Sequence, residues 1–106
     1  MPGKEYFTIS AVANMFQVHP QTLRLYEREG LLQPERSAGN TRLYSRRDID
    51  HLSTILNLTR EMGVNLAGVT IIMDLLRKLR VAQEETRTLL AAMREATGSP
   101  RGPASK

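Results

Sequence analysis

The chain has 106 residues, a quarter of them charged, a formal net charge of +4 and no cysteine. That length predicts one small domain plus an appendage, with no room for an attached effector-binding domain. The lack of cysteine excludes disulfides and thiolate-based sensing of metals or oxidants.

Thr8 is placed to cap a first helix, behind which Ile9, Val12, Ala13 and Phe16 recur at three- and four-residue spacing. A turn over residues 16–19 follows, and Pro20 fits the first turn of a second helix because its missing N–H would have no intrahelical partner there. Leu23 with Tyr26 or Glu27 forms the inward side of that helix; Arg24 and Arg28 share another face. Gly30 ends it in a left-handed conformation. Two short helices separated by about four residues have helix-turn-helix spacing, in which the second helix enters the major groove with its N-terminal residues on base edges. His19, Gln21 and Thr22 are then the base readers.

Residues 35–44 pair a Gly39-Asn40 turn signal with β-favouring flanks and predict a short hairpin, or wing. Alternation puts Arg42 and Leu43 on opposite faces, with Leu43 packing inward, Arg42 pointing out toward a phosphate and Tyr44 free to do either. A third helix opens at Ser45, where Ser45 and Asp48 make an acidic capping box, and runs through Ile49, Leu52, Ile55, Leu56 and Met62 to Gly63. Arg46 and Arg47 lie in its first turn, against the helix dipole, which favours a nearby phosphate. Between residues 20 and 47 six arginines face three glutamates, so the positive charge is concentrated in the DNA-facing segment.

Asn65 caps a fourth helix with Leu66, Val69, Ile72, Met73 and Leu76 as its apolar stripe. Beyond it Leu79, Ala82, Thr86, Leu89, Met93 and Ala96 alternate spacings of three and four, the period of a coiled-coil seam, and imply a partner helix. Nothing between Asp74 and Arg80 forces a break, so one helix and two helices over residues 66–96 both fit. Residues 98–106, with two prolines and two glycines, read as a disordered tail. His19 and His51 form no metal-ligand cluster, and no catalytic constellation or phosphate-cradling glycine loop is present, so the chain is not read as an enzyme and no cofactor is expected.

Taken together, Thr8-Ile9, Val12-Ala13, Thr22-Leu23-Arg24, Tyr26-Glu27, Gly30-Leu31-Leu32, Arg42-Leu43-Tyr44 and Asp48 resemble the winged helix-turn-helix of the MerR family of bacterial transcription regulators, over roughly residues 7–76. Residues 19–24 and 63–69 resemble its HspR branch, whose members repress chaperone operons. The resemblance implies a mainly α fold: a winged helix-turn-helix domain over residues 1–76, then a dimerisation helix over residues 77–97 that forms an antiparallel coiled coil. It further implies a homodimer on an inverted repeat of double-stranded DNA, with the DnaK chaperone as candidate corepressor. His19, Gln21 and Thr22 would discriminate bases. Arg24, Tyr26, Arg28, Arg36, Arg42, Tyr44, Arg46 and Arg47 would anchor the DNA, and Leu79, Ala82, Thr86, Leu89 and Met93 would join the two copies. Two departures stand out: Gln17 where many members have glycine, and Leu25-Tyr26 where many have adjacent aromatics.

A promoter-distorting activator without a sensor domain and an excisionase-like architectural protein share the same winged helix and stay open as alternatives. With no charged-then-apolar leader and no apolar run of bilayer length, the expected location is the cytoplasm, on the bacterial nucleoid, and not a membrane.

Overall fold

The computed structural model describes residues 5–98, which divide into two units, 5–73 and 74–98. In the first, β1 (Tyr6–Phe7), α1 (Ile9–Phe16), α2 (Pro20–Arg28), β2 (Glu35–Arg36), β3 (Arg42–Ser45) and α3 (Arg46–Leu56) follow in order; a π-helical turn (Asn57–Glu61) then leads into α4 (Leu66–Thr97). The three strands form one antiparallel sheet in the order β1-β3-β2, with Phe7 opposite Tyr44 and Glu35 opposite Leu43. Strand β1 has no counterpart in the sequence expectations, because two residues carry no period.

The helix boundaries follow from local chemistry. Thr8 Oγ1 accepts the Ala11 N–H at 3.2 Å and starts α1. At the end of α2, Leu31 N–H donates to the Tyr26 carbonyl at 2.9 Å and Gly30 N–H to that of Glu27 at 3.0 Å, with Gly30 at φ +78°, a Schellman motif. The end of α1 repeats this pattern without glycine: Val18 N–H reaches the Ala13 carbonyl at 3.0 Å while Gln17 sits at φ 55°, a conformation that costs a non-glycine residue about 1 kcal/mol. At the start of α3 the Ser45–Asp48 capping box is reciprocal.

Helix 3 does not continue as a regular helix to Gly63. After Leu56 it widens into the π-helical turn, in which Leu58 is buried and Thr59 half-buried, and Met62 beyond it faces solvent. Asn65 Oδ1 then accepts the Gly68 N–H at 2.9 Å and caps α4. A side chain at Gly68 would meet Val64 Cγ1 at 2.7 Å, so glycine here lets the first turn close without displacing Val64.

The core gathers Val12 and Ala13 of α1, Leu23 and Tyr26 of α2, Leu31, Leu32, Tyr44, and Ile49, Leu52, Ile55 and Leu56 of α3, with Leu58 and Val69. Leu66, Ile72 and Met73 pack against it part-buried, as the fourth-helix stripe predicts, whereas Leu76 is exposed. On β3 the expectation for Leu43 is reversed. Arg42 and Tyr44 share the inward face and Leu43 is only part-buried, because the strand's inward side meets Glu27 of α2 and Arg42 turns to it.

The second unit is the remainder of α4, which answers the open question: residues 66–97 are one helix. Asp74 binds Arg77 at 2.8 Å and Lys78 at 3.1 Å, and Glu84 pairs with Arg87. The Arg77 and Lys78 hydrogen bonds hold the Asp74 carboxyl below its ordinary range. Within this unit Leu75, Leu79, Leu89, Leu90 and Met93 are all exposed. The expected tail lies outside the described residues apart from Gly98.

Candidate nucleic-acid interface

The N-terminus of α2 is built around His19. Its Nδ1 accepts the Gln21 N–H at 3.0 Å, making it the helix cap in place of the usual serine or aspartate. An accepting Nδ1 places the proton of the neutral ring on Nε2. Two residues on, Gln21 Oε1 accepts from Arg24 Nη1 at 3.1 Å, so a polar side chain in the first turn and a cation on the next are already linked. His19 and Gln21 are exposed; Thr22 and Arg24 are half-buried.

At the other end of α2, Glu27 ties the helix to the wing. Arg42 Nε donates to Glu27 Oε1 at 2.7 Å and Arg36 Nη2 lies 3.8 Å from Glu27 Oε2. Donating a hydrogen bond to the Glu27 carboxylate raises the Arg42 guanidinium above its ordinary range. The wing tip is organised by Ser37, whose Oγ accepts N–H donors from Gly39 at 3.2 Å and Thr41 at 3.1 Å, with Asn40 rather than Gly39 in the left-handed conformation at φ 67°. Ser37 and Glu27 are the contributions that periodicity does not reveal, since both act through partners across a turn or between elements.

Not every expected contact reaches the surface. Tyr44 is 0% exposed and Tyr26 7%, so both rings belong to the core, and Tyr44 is withdrawn as a DNA anchor. Arg42 points back to Glu27 rather than freely outward. Arg46 binds Glu5 at 3.0 Å and stacks 5.7 Å from the Phe7 ring centroid, which together with Asp48 offsets its unfavourable place at the start of α3 without any phosphate. Arg28, Arg36 and Arg47 are exposed.

The hydroxyl of Tyr44 is buried without a hydrogen-bond partner among the described residues. Burial, and next the Glu27 carboxylate, push it above the ordinary phenol range. A buried unpaired hydroxyl costs about 1–3 kcal/mol, so Tyr44→Phe is expected to raise stability by about 1 kcal/mol in urea unfolding. The sign with pH follows: a raised folded value leaves stability untouched in acid and loses it as pH climbs past about 10, the ordinary phenol value. Tyr44→Phe should therefore also flatten the alkaline loss.

A three-stranded sheet carrying a hairpin wing beside a capped helix pair, with exposed polar side chains at the start of the second helix and arginines on helix and wing, defines a winged helix-turn-helix protein. Residues 7–76 match the profile of the MerR HTH family of regulatory proteins, and the chain belongs to that family. It is 41% identical over 87 residues to a putative heat shock protein HspR of Streptomyces coelicolor, covering 82% of this chain and 58% of that protein. It is 38% identical over 63 residues to the HTH-type transcriptional regulator GlnR of Bacillus anthracis, covering 59% of this chain and 48% of the regulator. The chain thus spans about half the length of these curated relatives.

Among solved structures, HiNmlR, a MerR family regulator lacking the sensor domain and bound to promoter DNA, superposes with a TM-score of 0.61 at 18% identity over 92% of this chain and 94% of that one. A MerR family transcriptional regulator from Bacillus cereus gives 0.60 at 24% identity, over 96% and 87%. At these identities the likeness concerns the fold. Among the described residues no helix is long and apolar enough to cross a membrane, and no group of histidine and acidic side chains is placed to hold a metal ion.

Proposed function

We propose that the chain is a homodimeric, sequence-specific DNA-binding repressor of heat-shock or chaperone genes, with residues 1–76 as the reading domain and residues 77–97 as the dimerisation helix. The observation that carries this is the capped N-terminus of α2, with His19 and Gln21 exposed beside Thr22, next to a wing tied to the same helix by Glu27. The 41% identity to a protein named for heat shock supports the choice of regulon. In this reading His19, Gln21 and Thr22 contact base edges, Arg24, Arg28, Arg36, Arg42, Arg46 and Arg47 neutralise phosphates, and Tyr26, its ring in the core, anchors the backbone through its hydroxyl. A two-fold dimer matches an inverted repeat, and the resemblance to HspR makes DnaK the proposed corepressor.

The test is to incubate the protein with sheared bacterial genomic DNA at about 0.15 M salt, where nonspecific binding is trimmed, and to sequence what is retained. Recovery of one inverted repeat upstream of chaperone genes is expected. Diffuse recovery, or clustered direct repeats, would move the function to DNA architecture.

Glu27 supplies a second check. Its carboxylate already engages two wing arginines, so phosphates must compete with it for them. Glu27→Gln is expected to lower stability by about 1 kcal/mol, the scale of a part-exposed pair, yet to tighten nonspecific DNA binding. Its log–log salt dependence should steepen by about 0.9 for each arginine released to a phosphate.

A further inference from the structure

Arg60 sits on the π-helical turn, far in sequence from the reading head. Its guanidinium nevertheless reaches back to the turn between α1 and α2: Nη1 donates to the Phe16 carbonyl at 3.1 Å and Nη2 to the Gln17 carbonyl at 2.9 Å. These carbonyls stand where α1 ends and the chain bends. The Ala13 and Asn14 carbonyls of the same helix end are already taken by the Val18 and Gln17 N–H groups, and Asn14 also by Gln17 Nε2 at 2.8 Å. The Arg60 fork supplies partners for the next orphan carbonyls and brings a positive charge to the negative end of α1.

Three features make this more than a surface bond. The bend it grips contains Gln17 in the left-handed region, a conformation an unrestrained non-glycine residue would leave. Two residues further on is His19, the cap of α2, so the direction in which α2 leaves is set within reach of the grip. And the guanidinium meets two separate oxygens with two donors of one planar fork, which fixes orientation as a single ammonium cannot. The widened turn that carries Arg60 is a type of irregularity enriched at functional sites.

We infer that Arg60 is a positioning residue for sequence reading: it holds the helix-turn-helix bend so that His19, Gln21 and Thr22 meet base edges in one register, without itself touching DNA. This rests on the DNA-binding reading above. Misplacing a reader weakens base-edge bonds that depend on geometry while leaving phosphate attraction in place, so the loss falls on specificity.

The full chain is used to select a duplex from a randomised pool, and wild type, Arg60→Lys and Arg60→Gln are then compared on that duplex and on a scrambled one. Circular dichroism fixes a temperature at which all three are folded. Both variants are expected to lose about tenfold or more in the ratio of specific to nonspecific affinity, since bidentate base contacts are each worth a factor of that size. The salt slope should match that of wild type. Gln17→Gly, which frees the bend, should cost more of this ratio in the Arg60→Lys background than alone.

An unchanged ratio with lowered thermal stability would make Arg60 purely structural and overturn the inference. So would a slope reduced by about 0.9 in Arg60→Gln with uniform loss on both duplexes, which marks a direct phosphate contact. If wild type enriches no duplex, the DNA-binding reading falls and Arg60's role falls with it; if wild type enriches one and the variants read it equally well, only Arg60's role is lost.

Discussion

Asp48→Ala is expected to destabilise the chain by about 3 kcal/mol, well above the typical single substitution. The carboxylate is 5% exposed and holds three segments together. Oδ1 accepts the Gln33 N–H at 3.1 Å, from the segment that leaves α2; Oδ2 accepts the Ser45 N–H at 3.0 Å and lies 3.2 Å from Ser45 Oγ, at the end of β3. The negative charge stands in the first turn of α3, where the helix dipole favours it. Alanine leaves the Gln33 and Ser45 N–H groups without a protein acceptor, and each such loss costs about 1–3 kcal/mol. Asp48→Asn keeps one carbonyl acceptor and should lose about half as much. Urea unfolding at one fixed protein concentration decides it, since concentration shifts apparent stability in an associating chain. A loss from alanine no greater than that from asparagine would show that the two N–H groups find water instead.

Asp48 also marks how far the sequence could be read. Its bond to Ser45 spans three residues and was legible from the spacing alone, as were the caps at Thr8 and Asn65, the start at Pro20 and the glycine end at Gly30. In each the chemistry closes within one turn. Its bond to Gln33 spans fifteen residues, as does that of Glu27 with Arg42, and those of Arg60 with Phe16 and Gln17 span 44 and 43; none leaves a trace in any periodicity. The polar start of α2 was visible because a helix start is written locally; the Glu27 and Arg60 bonds that tie α2 to the wing and α1's end to the π-helical turn were not, because they join elements whose approach only the fold decides. Two failures have the same origin. Tyr44 and Leu43 alternate correctly along β3, but which face turns inward depends on Glu27 waiting on α2. Met62 falls off the inward face because the helix widens before it, a change of pitch that a period of 3.6 cannot anticipate.

The largest effect on DNA binding is expected from the seam of α4. Leu79 and Leu89 are 53% and 61% exposed, with only Ala82 and Thr86 between them on the seam, so the helix offers apolar side chains toward both ends and small ones in the middle. Isolated helices gain most of their stability from packing partners, and a second copy of this chain supplies the same pattern. An acid at Leu79→Asp enters such an interface twice, once from each copy. It should dissociate the dimer and lower affinity for a two-half-site duplex by about 100-fold, the scale of avidity lost when linked sites separate, while a single half-site is bound as before. Leu89→Arg alone should do the same. Combining them separates the two possible orientations. If the helices run antiparallel with Leu79 facing Leu89 of the second copy, Ala82 then faces Thr86, and the double variant sets an acid against a base at both ends, so association recovers in part. If they run parallel in register, each introduced charge faces its own kind and the double variant is worse than either single one. Analytical ultracentrifugation of the three variants at about 0.15 M salt, where a direct ion pair persists while longer-range fields are screened, therefore reads both the existence of the dimer and its direction. A wild-type chain that sediments as a monomer beside unchanged variants would instead return the seam to a surface without a partner.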